Sequence, residues 1–225
     1  MLNDIILINK PIHWTSFDVV KKIRSIIKKR LKIKKIKVGH AGTLDPLASG
    51  LLILCIGDQT KNINEIQKLK KKYLATVKLG FVTESFDREK EEIQKTGIEK
   101  IKKEDIIQLE SKFLGSILQA PPKYSAIKID GVRSYQKMRN NQTDFVLSKR
   151  KVHIYSFIIK KIEFPYIQIE IICSKGTYIR SVANDIGLVL GCGAYLFDLT
   201  RLSIGHYKLK DSLCVNEFKE KYKFN

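Results

Sequence analysis

The sequence has no apolar run near the roughly 20 residues that a bilayer-spanning helix needs. Its start, Met-Leu-Asn-Asp-Ile-Ile-Leu-Ile-Asn-Lys-Pro, carries an early acid and no cleavage-site pattern, which excludes a signal peptide. Together these absences predict a soluble, cytoplasmic protein with no membrane partner. Cysteine is sparse: Cys55, Cys173, Cys192 and Cys214 are scattered without a Cys-x-x-Cys pair, so buried thiols are expected rather than disulfides or zinc. His13, His40, His153 and His206 are too spread for a metal triad, and no metal is expected. A phosphate-binding Gly-x-x-x-x-Gly-Lys, a dinucleotide fingerprint and a Gly-x-Ser-x-Gly elbow are all missing. Kinase, hydrolase and metalloenzyme chemistry therefore find no support. There is no internal repeat, low-complexity tract or linker.

Acids are also few relative to bases. Lys plus Arg number 42 against 23 Asp plus Glu, an excess of 42 − 23 = 19. Such an excess points to a polyanionic partner, nucleic acid before an anionic membrane. Lysine and isoleucine are both abundant, so a composition bias accounts for part of it. An apolar fraction of 44% in 225 residues suits one large domain, or one domain with a small insertion or appendage.

Ile5–Ile8 reads as a short strand ended by Lys10-Pro11. Thr15-Ser16 is a good N-cap pair, and Val19, Val20, Ile23, Ile26 and Ile27 form a helical stripe. The basic run from Arg30 to Lys37 reads as a solvated face or as phosphate contacts, and its position before the loop described next favours phosphate. Leu51–Ile56 is a fully apolar strand. Residues 60–69 and 103–114 read as helices, and 73–82 and 124–129 as strands. The polar segment 83–95 reads as a mobile surface loop or small insertion. Residues 134–139 form a short helix, and 152–162 and 166–173 two long strands. A helix over 178–190 is capped by Gly191, one or two strands cover 194–207, and a last helix covers 215–221. Without a regular βαβ rhythm, the class is α+β with a mostly antiparallel sheet.

The stretch Gly39-His-Ala-Gly-Thr-Leu-Asp-Pro-Leu-Ala-Ser-Gly50 holds three glycines, one proline and a single carboxylate, Asp45. Glycine permits backbone angles that other residues avoid, and Pro46 biases Asp45 away from the helical region. The segment reads as an ordered loop posing one acid just before a buried strand. An Asp-Pro dipeptide alone reads as the start of a turn. With basic character, tyrosines at strand ends and an arginine at a helix start, the set suits a carboxylate acting on a nucleotide taken out of its stack.

The segments Asn9-Lys10-Pro11, Thr15-Ser16-Phe17-Asp18-Val19-Val20 and Gly39–Gly50 resemble the TruB family of tRNA pseudouridine synthases. So do Lys72-Tyr73, Pro122-Lys123-Tyr124-Ser125-Ala126-Ile127-Lys128 and Cys173-Ser174-Lys175-Gly176-Thr177-Tyr178-Ile179-Arg180, in family order from residue 9 to about 205. The resemblance implies an α+β pseudouridine synthase fold: a bent, mostly antiparallel mixed sheet flanked by helices, with a central catalytic cleft. It implies an isomerase that converts the T-loop uridine at position 55 of tRNA to pseudouridine, without cofactor or metal. Asp45 matches the nucleophile, Tyr73 the tyrosine that stacks on the flipped uracil, and Arg180 the arginine that pairs with the aspartate. Tyr178 and Leu199 match residues lining the base pocket, His40 one that contacts the flipped-out substrate region, and Lys10 one that shapes the site. On other grounds, Tyr73 is an ordinary strand-end aromatic, Tyr178 and Leu199 are plain core, and Arg180 is a solvated arginine in a helix first turn.

The resemblance further implies a catalytic domain over 1–210 and a short stub over 211–225 without the C-terminal PUA domain of many relatives. The partner is then the T-arm and elbow of tRNA, met by a monomer, with salt-sensitive binding through the lysines. The family's usual glycine between the Lys-Pro and Thr-Ser pairs is absent from Pro11-Ile12-His13-Trp14-Thr15. Three other readings compete: a synthase for other RNAs of the guide-directed kind, a tRNA-binding folding aid, and a generic basic RNA-binding domain. The last gives no reason for the set Asp45, Tyr73 and Arg180.

Overall fold

The computed structural model describes residues 3–95 and 97–221. In chain order the elements begin with β1 (Asp4–Lys10), α1 (Ser16–Leu31), β2 (Val38–His40), β3 (Ser49–Ile56) and α2 (Ile63–Lys68). Next come β4 (Lys71–Leu79), β5 (Phe81–Val82), β6 (Ile93–Gln94), α3 (Lys103–Ile107), α4 (Leu109–Phe113) and β7 (Gly115–Gln119). They continue with β8 (Lys128–Ile129), β9 (Val132–Arg133), α5 (Ser134–Arg139), β10 (Arg150–Glu163), β11 (Tyr166–Cys173) and α6 (Ile179–Leu190). The last are β12 (Ala194–Ile204), β13 (Tyr207–Lys208), β14 (Leu213–Cys214) and α7 (Val215–Lys221). The chain divides into two compact units, Met1–Leu74 with Leu199–Asn225, and Ala75–Asp198.

In the first unit β3 is central. It pairs antiparallel with β1 from Asp4↔Ile56 to Lys10↔Gly50, antiparallel with β2, and parallel with β12 at Thr200↔Ser49 and Arg201↔Gly50. The unbroken apolar run of β3 follows from burial on both faces. Leu52, Leu54 and Ile56 join Val19, Ile23, Ile27 and Phe218 in one core, whereas Leu51, Ile53 and Cys55 join Ala41, Ile66 and Ile204 in another. Alternate strand residues point to opposite faces, so each face has its own cover. Helix α1 starts at a capping box: Asp18 N–H donates to Thr15 Oγ1 at 3.0 Å and Thr15 N–H to Asp18 Oδ2 at 3.0 Å. The segment expected as a stub contributes β14, parallel to β1, and α7, whose Phe218 is fully buried. Residues 211–221 are thus part of this unit's fold; 222–225 lie outside the described residues.

In the second unit the strand order is β4-β11-β10-β7, with β10 antiparallel to both neighbours. Helix α6 buries Ile179, Val182, Ala183 and Ile186 and ends at Gly191, whose φ of 74° is the left-handed cap expected there. The pairings of the two units are mixed and mostly antiparallel, as the α+β class requires.

Three expectations differ from the structure. Residues 103–114 break into two helices at Gln108. Of 124–129 only Lys128–Ile129 is strand, because Ser125 and Ile127 give their carbonyls to Tyr135 and Ser134 N–H groups. The segment 83–95 is an ordered turn at its start, with Thr83, Ser85 and Asp87 buried and an isolated parallel bridge from Asp87 to Leu196.

Candidate active site

The loop that carries Asp45 is held to the first unit at several points. Ser16 fixes its middle: Leu44 N–H donates to Ser16 Oγ at 2.9 Å, and Ser16 Oγ–H donates to Leu44 O at 3.1 Å. Pro46 O accepts the His13 N–H at 2.7 Å, and Ala48 N–H closes a turn onto Asp45 O at 3.1 Å. Asp45 itself is half-buried. His13 adopts a φ of 69°, the left-handed region that favours glycine.

Arg201 joins the two ends of the loop. Its guanidinium donates to Leu51 O at 2.7 Å, Gly42 O at 3.0 Å and Thr43 O at 3.3 Å, and the side chain is 1% exposed. Gly50, with φ of 104°, faces the Arg201 backbone so closely that a Cβ there would lie 2.5 Å from Arg201 O. Only glycine fits. Sequence reading missed Arg201; the signal was a lone cation within the apolar run of β12.

Lys10 is fully buried and donates to Trp14 O at 2.6 Å, Pro11 O at 2.8 Å and, longer, Pro46 O at 3.4 Å. Burial pushes its ammonium down to about 8, with Asp45 opposing and Arg201 adding to the fall. The folded protein therefore releases this proton more readily than the unfolded chain. Between about pH 8 and 10.5 the unfolded state binds more protons, so Lys10 makes stability rise with pH across that window. Thermal melts of wild type and Lys10→Met from pH 7 to 10.5 are expected to show the wild type gaining on the variant above about pH 8.

His40 ends β2 within this loop region. Burial lowers its pKa, Arg201 lowers it further, and a Gly42 backbone hydrogen bond opposes, so the imidazole is neutral at pH 7. Lys10 and His40 thus both feel the charge of Arg201, and Lys10 also that of Asp45. Tyr73 and Leu199 belong to the same unit, on β4 and β12, and both are buried.

Arg180 and Tyr178 belong to the second unit. Arg180, 4% exposed in the first turn of α6, donates to Tyr124 O at 3.0 Å and Ser85 O at 3.2 Å. It also faces Asp87 Oδ2 at 3.5 Å, a buried ion pair. A cation is disfavoured at a helix start, and this carboxylate offsets that. Asp87 Oδ1 in turn accepts from Ser85 Oγ–H at 2.7 Å and Glu89 N–H at 2.9 Å. Asp87 too escaped the sequence reading, because its surroundings are polar enough to pass for a surface loop. Tyr178 is placed by Gln119, which donates to its carbonyl at 3.0 Å and accepts its N–H at 2.7 Å, and the Arg150 guanidinium lies 4.6 Å from its ring.

Removing a partner of a buried charge is costly, about 3 kcal/mol or more. Asp87→Ala is expected to lose about that much in denaturant melts. Asp87→Asn, which keeps acceptors for Ser85 and Glu89, is expected to lose less stability. Equal stability of all three proteins would contradict the pairing.

Among the described residues no helix is long and apolar enough to cross a membrane, and no group of three metal-ligating side chains occurs. The family model for TruB family pseudouridylate synthase (N terminal domain) matches residues 28–179. The tRNA pseudouridine synthase B of Parabacteroides distasonis is 47% identical over 213 residues, 95% of this chain and 89% of that protein. That of Clostridium kluyveri is 45% identical over 95% of this chain and 71% of its own length. Among solved structures, a chain of a Cbf5-Nop10-Gar1 complex superposes with a TM-score of 0.73 at 28% identity. That superposition covers 98% of this chain but only 54% of the other, about half its length.

Proposed function

The chain belongs to the TruB family of pseudouridylate synthases, and on that premise we propose that it converts the T-loop uridine at position 55 of tRNA to pseudouridine. The observation that supports this most is the Asp45 loop, a family motif in which backbone hydrogen bonds on both sides of one half-buried carboxylate fix its pose. In the reaction the bond from ribose C1′ to uracil N1 breaks and one from C1′ to C5 forms. N1 gains a proton and C5 loses one, so atoms and electrons balance within the nucleotide and no cofactor is called for.

The target base must leave its stack to be reached, and the unstacking is repaid by contacts in the site. Asp45 acts as the nucleophile, and Arg180 is a further residue of the catalytic set. Tyr73 stacks on the uracil, Tyr178 and Leu199 line its pocket, and neutral His40 contacts the flipped-out region. Lys10 acts through the loop it tethers. The partner is the T-arm and elbow of tRNA, met in the cytoplasm by a monomer. A guide-directed role on other RNAs is the weaker reading, since relatives at 45% and 47% identity are tRNA pseudouridine synthases B.

The test is an unmodified tRNA transcript incubated with the protein, with pseudouridine mapped by chemical labelling and reverse-transcription stops. A single new stop in the T-loop is the expected result. No stop, despite tight tRNA binding, would favour the folding-aid reading instead.

A further inference from the structure

We propose that a cationic trough along α1 holds the phosphodiester backbone of the substrate RNA outside the stem-loop that carries the reacting uridine. The proposal rests on tRNA being the substrate. Between Asp18 and Asp45 the chain has ten Lys or Arg residues and no Asp or Glu. Lys21, Arg24 and Lys28 fall at i, i+3 and i+7, one stripe of the helix. Like charges at that spacing destabilise a helix. The helix dipole accounts for Lys28, Lys29 and Arg30 in the last turn, but not for Lys21, Lys22 and Arg24 nearer the start.

Three adjoining grooves make the trough continuous. The first, beside His13 and Trp14, shares Lys21 with the second. The second shares Arg24, Lys28 and Ile33 with the third, which continues to Lys34, Lys35 and Lys37. The sixteen residues of α1 span about 24 Å, long enough to follow several nucleotides. One end begins at the loop of Asp45, since His13 is bonded to Pro46.

Among the described residues two acids touch this surface, and Asp18 also interacts with Lys21. Asp18 is held by the Thr15 hydroxyl at 2.6 Å, and Asp58 lies 3.4 Å from Lys61. Lys28, Lys34 and Lys35 are exposed and form no ion pair among the described residues. Near the Asp45 end Phe17 is 53% exposed, with the Lys21 ammonium 4.8 Å from its ring. Aromatic rings interleaved with cations suit a nucleic-acid strand. Continuity with the Asp45 loop favours the substrate RNA over a membrane surface.

The test compares wild type with the triple variant Lys21→Glu, Lys28→Glu, Lys35→Glu. Binding to a full-length unmodified tRNA transcript and to the isolated T-arm stem-loop is followed by fluorescence anisotropy from 50 to 300 mM salt. The variant is expected to lose at least about tenfold in affinity for tRNA, and its slope of log Kd against log salt to fall by about 2 to 3. The loss on the stem-loop is expected to be much smaller. Unchanged tRNA affinity and slope, or an equal loss on both RNAs, would overturn the proposal. So would loss of binding to phosphatidylserine vesicles with tRNA binding intact. Should the triple variant melt early, the alanine versions of the same three positions carry the comparison. Absence of pseudouridine with wild type would refute the proposed activity while leaving this binding difference readable.

Discussion

Asp45→Asn is expected to abolish pseudouridine formation, with a fall on the order of 10⁴-fold or more, the scale on which losing a nucleophile acts. The amide has nearly the shape of the carboxylate but cannot attack. Everything described as holding the loop is kept: Ser16 on Leu44, His13 and Lys10 on Pro46, and Ala48 on the Asp45 carbonyl. These are contacts to main-chain atoms, indifferent to the side chain at 45. The fold and the affinity for tRNA are therefore expected to be kept, with the melting temperature lowered only by the lost attraction between the carboxylate and the Lys10 ammonium. Labelling-dependent stops, a thermal melt and a binding titration on the same two proteins check all three points. A variant that still forms pseudouridine would remove Asp45 from the chemistry. One that unfolds would show that the carboxylate is structural.

Arg201→Met is the second large effect, and it acts on the scaffold. The guanidinium is buried and satisfies three carbonyls, of Leu51, Gly42 and Thr43, across the neck of the loop. Methionine has comparable length and no donor, so three acceptors lose this partner, the buried Leu51 carbonyl among them. Charge-assisted bonds of this kind put the cost at about 4 kcal/mol. For a chain of this size that lowers the melting temperature by roughly 10 °C. Activity is expected to fall with stability, because the loop ends are no longer tied. The same substitution removes a positive charge that lowers the pKa values of His40 and Lys10, so both are expected to rise. An NMR titration of the His40 imidazole that shows no upward shift would place Arg201's charge out of its reach.

The strands and helices were largely legible because their signals are local. The stripe Val19, Val20, Ile23, Ile27 can only be one helix face, and five of the α1 residues are buried on it. The run Leu51–Ile56 announced a strand covered on both sides, which is how β3 lies between two cores. Periodicity also misled where a backbone found other partners. Ser125 and Ile127 look like strand residues, yet their carbonyls accept from the residues beyond the Asp130-Gly131 turn.

The sequence by itself determined where the candidate for chemistry lies: a single carboxylate, Asp45, between glycines and a proline. It determined the basic character, and with it the class of partner. Only the tertiary structure decided how the carboxylate is held, since Arg201 lies far along the chain from Gly42 and Thr43, and no spacing rule links them. It likewise decided that Asp87 is a buried partner of Arg180 rather than one acid among several in a surface loop. Both cases have the same physical reason. A buried charge must be satisfied by whatever the fold brings beside it, and long-range proximity leaves no period or local pattern in the sequence.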